Sequence, residues 1–259
     1  MNVQDLFSLK NKCAVVIGGA GKIGFSISEA LAEAGASVCI ASTSKKRCDA
    51  AARTLKERGL AAEGFVIDQS DEASVLSCLQ EVAKKFKTPD ILVNCAVERP
   101  MKKFFDDTVE NWDRSMAINS RGLFITCRAF ARVMKKNKGG SIVNVSSIYG
   151  LVAPDQNVYE GTDIQTEPDY PYNKGGMIMF SKYLASLLAK DNIRVNCIAP
   201  GGLFNNQDER FVEQYTKKVP LGRMAEPDDI KGAAVFLASD ASRYITGAVM
   251  PVDGGFTIT

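Results

Sequence analysis

The chain contains no histidine, and that one absence removes whole classes of chemistry. Ser-His-Asp hydrolysis, Cys-His proteolysis and His-ligated metal sites all need an imidazole. Acid–base work must fall to Tyr, Lys, Asp, Glu or Cys, and no metal centre is expected. The seven cysteines, at 13, 39, 48, 78, 95, 127 and 197, are odd in number and scattered, with no C-x-x-C spacing. They read as reduced thiols, mostly small core hydrophobes, in a cytoplasmic protein. The clearest binding motif is Gly18-Gly19-Ala20-Gly21-Lys22-Ile23-Gly24. It joins an apolar run to an amphipathic one, where glycine permits a tight turn and a helix N-terminus offers unpaired N–H groups to an anion. That is the place for a dinucleotide phosphate loop. The same residues also suit a glycine-rich turn that holds no ligand, and Lys22 suits either a phosphate contact or solvent.

Residues of this kind need a frame. The chain has 259 residues, 46% hydrophobic and 24% charged, a globular composition that fits one large domain over residues 1–259. A net charge of +2 points to neither nucleic acid nor an anionic membrane surface. No apolar run is long enough to span a bilayer, and residues 1–12 lack a signal-peptide layout. Short apolar runs predict strands at Cys13–Ile17, Val38–Ala41, Phe65–Ile67, Ile91–Asn94, Ser141–Val145, Ile193–Ile198 and Val249–Val252. Helices are predicted between them: 23–34, 45–58, 71–86 capped by Ser70, about 109–136, about 170–189, and one opened by Pro227. Continuous rather than alternating apolar strands suit a parallel sheet buried on both faces. The alternation predicts an α/β doubly wound fold of about seven strands, with a (β/α)₈ barrel as its rival. Two stretches, 151–169 and 201–217, read as loops long enough to be functional.

Further motifs follow in a fixed order: Asp68 after the third strand, Asn94-Cys95-Ala96 ending the fourth, Asn119, Ser146-Ser147 ending the fifth, Tyr170-x-x-x-Lys174, Pro200-Gly201 and Val252-Asp253-Gly254-Gly255. Among seven tyrosines only Tyr170 has Lys four residues on. This series resembles the short-chain dehydrogenase/reductase family over essentially the whole chain. The resemblance implies that Tyr170 exchanges a proton with the substrate oxygen. Lys174, one turn along the same face, would favour the tyrosinate and hold the nicotinamide ribose. Ser147 would hydrogen-bond the reacting oxygen, and Asn119 would support a water-mediated proton relay. Two alternatives stand beside these: Ser146 as the active serine, and Asn119 as a helix-kink residue. The cofactor-contacting set implied is Gly18, Gly21, Lys22, Ile23, Gly24, Ser42, Thr43, Ser44, Lys45, Asp68, Gln69, Asn94, Ala96, Lys174, Pro200, Gly201 and Leu203.

Three departures from the family pattern matter. Lys22 stands where a glycine is usual. Ser147 and Tyr170 are 23 residues apart, farther than the usual spacing, so the extra residues must loop out. Asn205 replaces the usual Thr after Pro-Gly. The second strand ends in Ser42-Thr43-Ser44-Lys45-Lys46-Arg47, without the acid that NAD-preferring relatives place at the ribose 2′-OH. This favours NADP(H), with NAD(H) left open. Segments 152–162 and 205–207 are polar and amide-rich, suiting a hydroxyl-rich ligand. The stretches Tyr159–Thr162, Gly201–Gln207 and Pro220–Ala225 resemble a branch found with flagellin-modification and surface-sugar genes, which implies a sugar or nucleotide-sugar substrate. Arg99, Lys102 and Lys103 suit a substrate phosphate or plain solvent. Two other readings compete: reduction of a 3-oxoacyl thioester on acyl carrier protein, docked by Arg128, Arg132, Lys135 and Lys136, and a cofactor-binding regulatory protein without turnover. A homodimer or homotetramer is expected, joined through the last strand and 235–238.

Overall fold

The computed structural model describes residues 2–259; Met1, counted within the expected domain, lies outside the described residues. In chain order the elements are α1 (Val3–Phe7), β1 (Cys13–Ile17), α2 (Lys22–Glu33), β2 (Ser37–Ser42), α3 (Lys45–Glu57), β3 (Ala62–Val66), α4 (Glu72–Lys85), β4 (Ile91–Asn94), α5 (Val109–Ser115), α6 (Gly122–Lys136), β5 (Gly140–Val145), α7 (Asp169–Leu188), β6 (Ile193–Pro200), α8 (Glu209–Thr216), α9 (Lys231–Ala238) and β7 (Val249–Val252). All strands pair in parallel, in the order β3-β2-β1-β4-β5-β6-β7. The apolar runs are continuous because both faces of the sheet are covered. Cys13, Val15 and Ile17 face a core built with α4, α6 and α7, whereas Ala14 and Val16 face a second core built with α2, α3 and α9. β3 and β7 are free edges, which excludes the closed barrel. After β3 the chain crosses to the far side of β1 to form β4, and such a reversal leaves a crevice at the carboxyl ends of the two strands.

Four details differ from the sequence expectation. β3 begins at Ala62, earlier than expected, because an edge strand tolerates the half-exposed Glu63 that interrupts its apolar run. α4 is capped by Asp71, whose carboxylate accepts from Ala73 N at 3.0 Å, while Ser70 turns back to Asp68. The stretch from α5 to α6 is continuous but widens into a π-helical turn at Met116–Arg121. The segment after Gly201 is not loop throughout, since Asp208 caps α8 through Arg210 N and Phe211 N.

Candidate active site

The glycine turn lies at the β1–β4 crevice. Gly18 has φ +80°, and a Cβ there would sit 2.6 Å from the backbone nitrogen of Ala96. A Cβ on Gly24 would meet the Gly18 carbonyl oxygen at 2.2 Å. Both positions therefore need glycine: the first for the left-handed turn against β4, the second to seat α2 on that turn. Gly21 is the N-cap of α2 and offers no side-chain cap. The first-turn N–H groups are thus free for an anion, at the positive end of the helix dipole. A cleft of about 420 Å³ opens here, lined by Gly18, Gly21, Ser42, Thr43, Asp68, Gln69 and Ala96 together with Arg47. This cradle fits a dinucleotide, with the diphosphate at α2 and the adenosine end towards β2 and β3.

Side chains of the expected cofactor set also make bonds within the chain. Lys22 is not left to solvent alone: its ammonium donates to the Phe204 carbonyl and, at 3.1 Å, to Asn205 Oδ1. It ties the glycine turn to the segment that follows β6. Lys45 pairs with Asp49 one turn on and reaches the Gly64 carbonyl at 3.3 Å, so Arg47 supplies the cation in the cleft instead. Ser44 is the N-cap of α3, accepting from Arg47 N at 3.4 Å. Asp68 accepts from Ser70 N at 2.9 Å and Ser70 Oγ at 2.6 Å, and Gln69 Nε2 donates to the Ile118 carbonyl at 2.8 Å. Asn94 is buried and gives its amide to Asn144 Oδ1 at 2.7 Å, so its side chain belongs to the core. Ile23 packs on the second core. Pro200 ends β6, Gly201 N donates to the Val252 carbonyl at 2.9 Å, and Leu203 bridges to Ala225.

The reacting groups gather at the start of α7. Tyr170 is its second residue, and Pro171 falls in the first turn, where a missing N–H breaks no helical bond. Lys174 is 4% exposed; its ammonium donates to the Val145 carbonyl at 2.7 Å and lies 5.6 Å from the Tyr170 ring centroid. Arg99, from the segment after β4, stacks its guanidinium over the same ring at 3.5 Å. Burial resists ionisation of the Tyr170 phenol. The charges of Lys174 and Arg99, with polar contact from Ser147 and Arg99, outweigh it and hold the pKa below the ordinary tyrosine value. Ser147 is buried and accepts from Tyr149 N at 3.2 Å. Ser146 instead donates to the Lys174 carbonyl at 2.9 Å, so of the two serines only Ser147 is left beside the phenol.

The long Ser147–Tyr170 spacing folds outward without parting the two. Short 3₁₀ turns at Ile148–Gly150 and Gln156–Tyr159 carry Tyr149 and Tyr159, whose hydroxyls meet at 2.5 Å. Both rings join Phe211, Tyr215 and Phe256 in a third apolar cluster, which anchors the insertion against α8 and the C-terminus. Asn119 sits in the π-helical turn. Its amide donates to the Glu98 carbonyl at 2.7 Å and to Ser115 Oγ at 3.0 Å, and its oxygen accepts from Glu98 N at 3.0 Å. Its side chain is thus committed to holding the segment that carries Arg99. Burial pushes the Cys95 thiol, at the cleft wall, up to about 11, so it is no thiolate at neutral pH. Sequence spacing missed the Arg99 stack and the Lys22 tie; the one available signal was the position of Arg99 just beyond the end of β4.

Comparison with known proteins finds relatives along nearly the whole chain. A family profile described as enoyl-(acyl carrier protein) reductase matches residues 18–257. The 3-oxoacyl-(acyl-carrier-protein) reductase FabG of Chlamydia trachomatis is 38% identical over 252 residues, covering 95% of this chain and 98% of that protein. The D-threitol dehydrogenase of Mycolicibacterium smegmatis is 36% identical over 263 residues, covering 100% and 97%. Among solved structures, a gluconate 5-dehydrogenase from Burkholderia cenocepacia in complex with NADP and tartrate superimposes with a TM-score of 0.91, at 30% identity and full coverage of both chains. Matched along nearly its whole length and superimposable on solved relatives through its seven-stranded parallel sheet, the chain belongs to the short-chain dehydrogenase/reductase family of NAD(P)-dependent oxidoreductases acting on CH–OH and C=O groups.

Proposed function

We propose that the protein interconverts a secondary alcohol and a ketone on a sugar or related polyol, with NADP(H) as the preferred cofactor. The observation that carries this is the Tyr170 phenol held between Lys174 and Arg99 with Ser147 beside it. In oxidation the Tyr170 phenolate takes the hydroxyl proton; in reduction the phenol returns a proton to the ketone oxygen. Ser147 Oγ holds that oxygen, and Lys174 stabilises the phenolate. When bound, the nicotinamide supplies or accepts the hydride. The preference for NADP(H) rests on Ser42, Thr43 and Arg47, which line the cleft with no carboxylate from the end of β2.

The polyol reading draws on two relatives named for threitol and gluconate and on the sugar-branch resemblance of 201–207 and 220–225. Asn205 and Gln207 contribute less than their types suggest. Asn205 Oδ1 is taken by Lys22, and Gln207 spans its own loop, accepting from Asn205 N and donating to the Leu203 carbonyl, each at 2.6 Å. The second reading, reduction of a carrier-bound 3-oxoacyl group, is favoured by the 38% identical relative. Its proposed docking face is weakened because Arg128 pairs with Glu72 and Lys135 with Asp191. We place the protein in the cytoplasm as a homo-oligomer; no helix among the described residues is long and apolar enough to cross a membrane.

Titration of the protein with NADPH and with NADH, followed by nicotinamide fluorescence, tests the cofactor. Turnover of sorbitol, gluconate and an acetoacetyl thioester tests the substrate class. Tighter NADH binding overturns the NADP preference, and turnover of the thioester alone moves the second reading to first place. Cofactor binding with no turnover of any probe supports a regulatory role.

A further inference from the structure

The charge of Arg99 helps acidify Tyr170, but that role needs no guanidinium fork and does not account for its geometry. Arg58, Arg114, Arg128 and Arg223 each pair with a carboxylate. Arg99 makes no ion pair among the described residues; its chain neighbour Glu98 is taken by Arg114. Glu167 lies near enough to feel the Arg99 charge but not to pair with it. The side chain is exposed, yet it is not loose. Stacking at 3.5 Å on the Tyr170 ring fixes the guanidinium plane, and Asn119 clamps the backbone of the preceding residue from both sides. A flat guanidinium held this way, with one polar contact to the phenol, keeps its remaining edge N–H groups for the fork that matches a carboxylate or a phosphate. The other cation at the phenol, Lys174, is buried and already donates to Val145. Arg99 is also not among the residues lining the cleft with Ser42, Thr43 and Arg47; it packs on the proton-transferring residue itself.

We infer that Arg99 is a specificity-determining residue: it takes an oxyanion of the substrate, so the substrate is an anionic polyol bearing a carboxylate or a phosphate a few bonds from the reacting carbon. This rests on the oxidoreductase reading of Tyr170. The test is calorimetric binding of D-gluconate, D-glucose 6-phosphate and sorbitol to protein saturated with NADP⁺, in wild type, Arg99→Gln and Arg99→Lys. One of the two anions is expected to bind at least about tenfold tighter than sorbitol, and which one it is separates carboxylate from phosphate. Arg99→Gln is expected to erase that advantage and Arg99→Lys to keep part of it, because a point charge lacks the fork. NADPH affinity should be unchanged in both, which also reports that the variants fold. Equal binding of all three probes by wild type overturns the inference. So does an Arg99→Gln variant that keeps the anion preference or loses NADPH. Tyr170→Phe separates the two readings, since it should cut turnover by about 10²- to 10⁴-fold while leaving anion binding intact. If the anion preference survives in Tyr170→Phe but wild type turns over no alcohol, the oxidoreductase reading fails and the role of Arg99 stands.

Discussion

At the scale of single residues the site is an exercise in charge placement. A free tyrosine titrates near ~10, too high to serve as a base at neutral pH. Here desolvation raises the Tyr170 pKa and two cations lower it, and the cations prevail. Two expectations follow. Tyr170→Phe should lower kcat by about 10²- to 10⁴-fold, the usual worth of a positioned acid–base group, with the NADPH dissociation constant unchanged. The rate of alcohol oxidation should climb with pH as the phenolate forms, and level off below the pH at which a free tyrosine would. Since Lys174 and Arg99 both lower the pKa, Lys174→Met and Arg99→Gln should each move that midpoint upward; a midpoint unmoved in both would show that neither charge tunes the phenol. The Tyr170–Lys174 pair was legible in the sequence because four residues make one helical turn. The Arg99 stack and the bond from Lys22 to the 204–205 segment were not, since no periodicity links residues so far apart in the chain.

Secondary-structure elements were legible in proportion to their length and burial. The long helices and central strands came out close to their observed bounds. The edge strand β3, the eight-residue α8 and the π-helical turn did not, because each rests on tertiary contacts. The π turn has such support: Gln69 donates to the Ile118 carbonyl, and Ser115 ties Asn119 to Asp169 at the start of α7. Near the segment that follows Gly201, a short 3₁₀ turn at Pro227–Ile230 runs into α9 and is closed by Asp229. Asp229 receives Arg223 through both oxygens, at 2.6 and 2.8 Å, and Glu226 N at 2.7 Å. These bonds, the Arg223 pairing foremost, hold its carboxyl at about 2. A depressed carboxylate stabilises the fold above the unfolded value, and that contribution fades as pH falls through the folded one. Asp229→Ala should therefore cost about 1 kcal/mol at neutral pH, or about 2–4 °C in Tm. The gap from wild type should close in acid as pH falls towards 2. An equal gap at all pH values would mean that packing, not the charged cap, is what was lost.

On the scale of the whole molecule, the doubly wound topology was legible because burial on both sheet faces writes itself as unbroken apolar strands. The surface through which copies would meet was not, because burial within one chain and burial between chains use the same residue types. The sequence pointed to the last strand and to 235–238. In the fold Leu237 and Ala238 are buried in the second core, whereas Val235, Phe236 and the free-edge strand β7 are only partly buried, so part of that surface stays open to a partner. The outer face of α7 is open as well. Met179, Tyr183 and Leu187, four residues apart, are 65%, 61% and 47% exposed. Phe124 of α6, 45% exposed, lies beside Phe180 at 6.4 Å between ring centroids. Helical spacing puts the α7 residues on one stripe, and a stripe of this length left in water forgoes about 25 cal/mol for every Å² of apolar surface. A second copy is the occupant proposed here, since two such helices packed against each other bury the same stripe twice. Light scattering should give a multiple of the 28.0 kDa chain mass. The double variant Met179→Glu, Tyr183→Glu should shift it to a single chain while NADPH binding persists, because both side chains point away from the cleft-facing core. A wild-type protein that runs as one chain, or a double variant that stays assembled, would put the contact surface elsewhere.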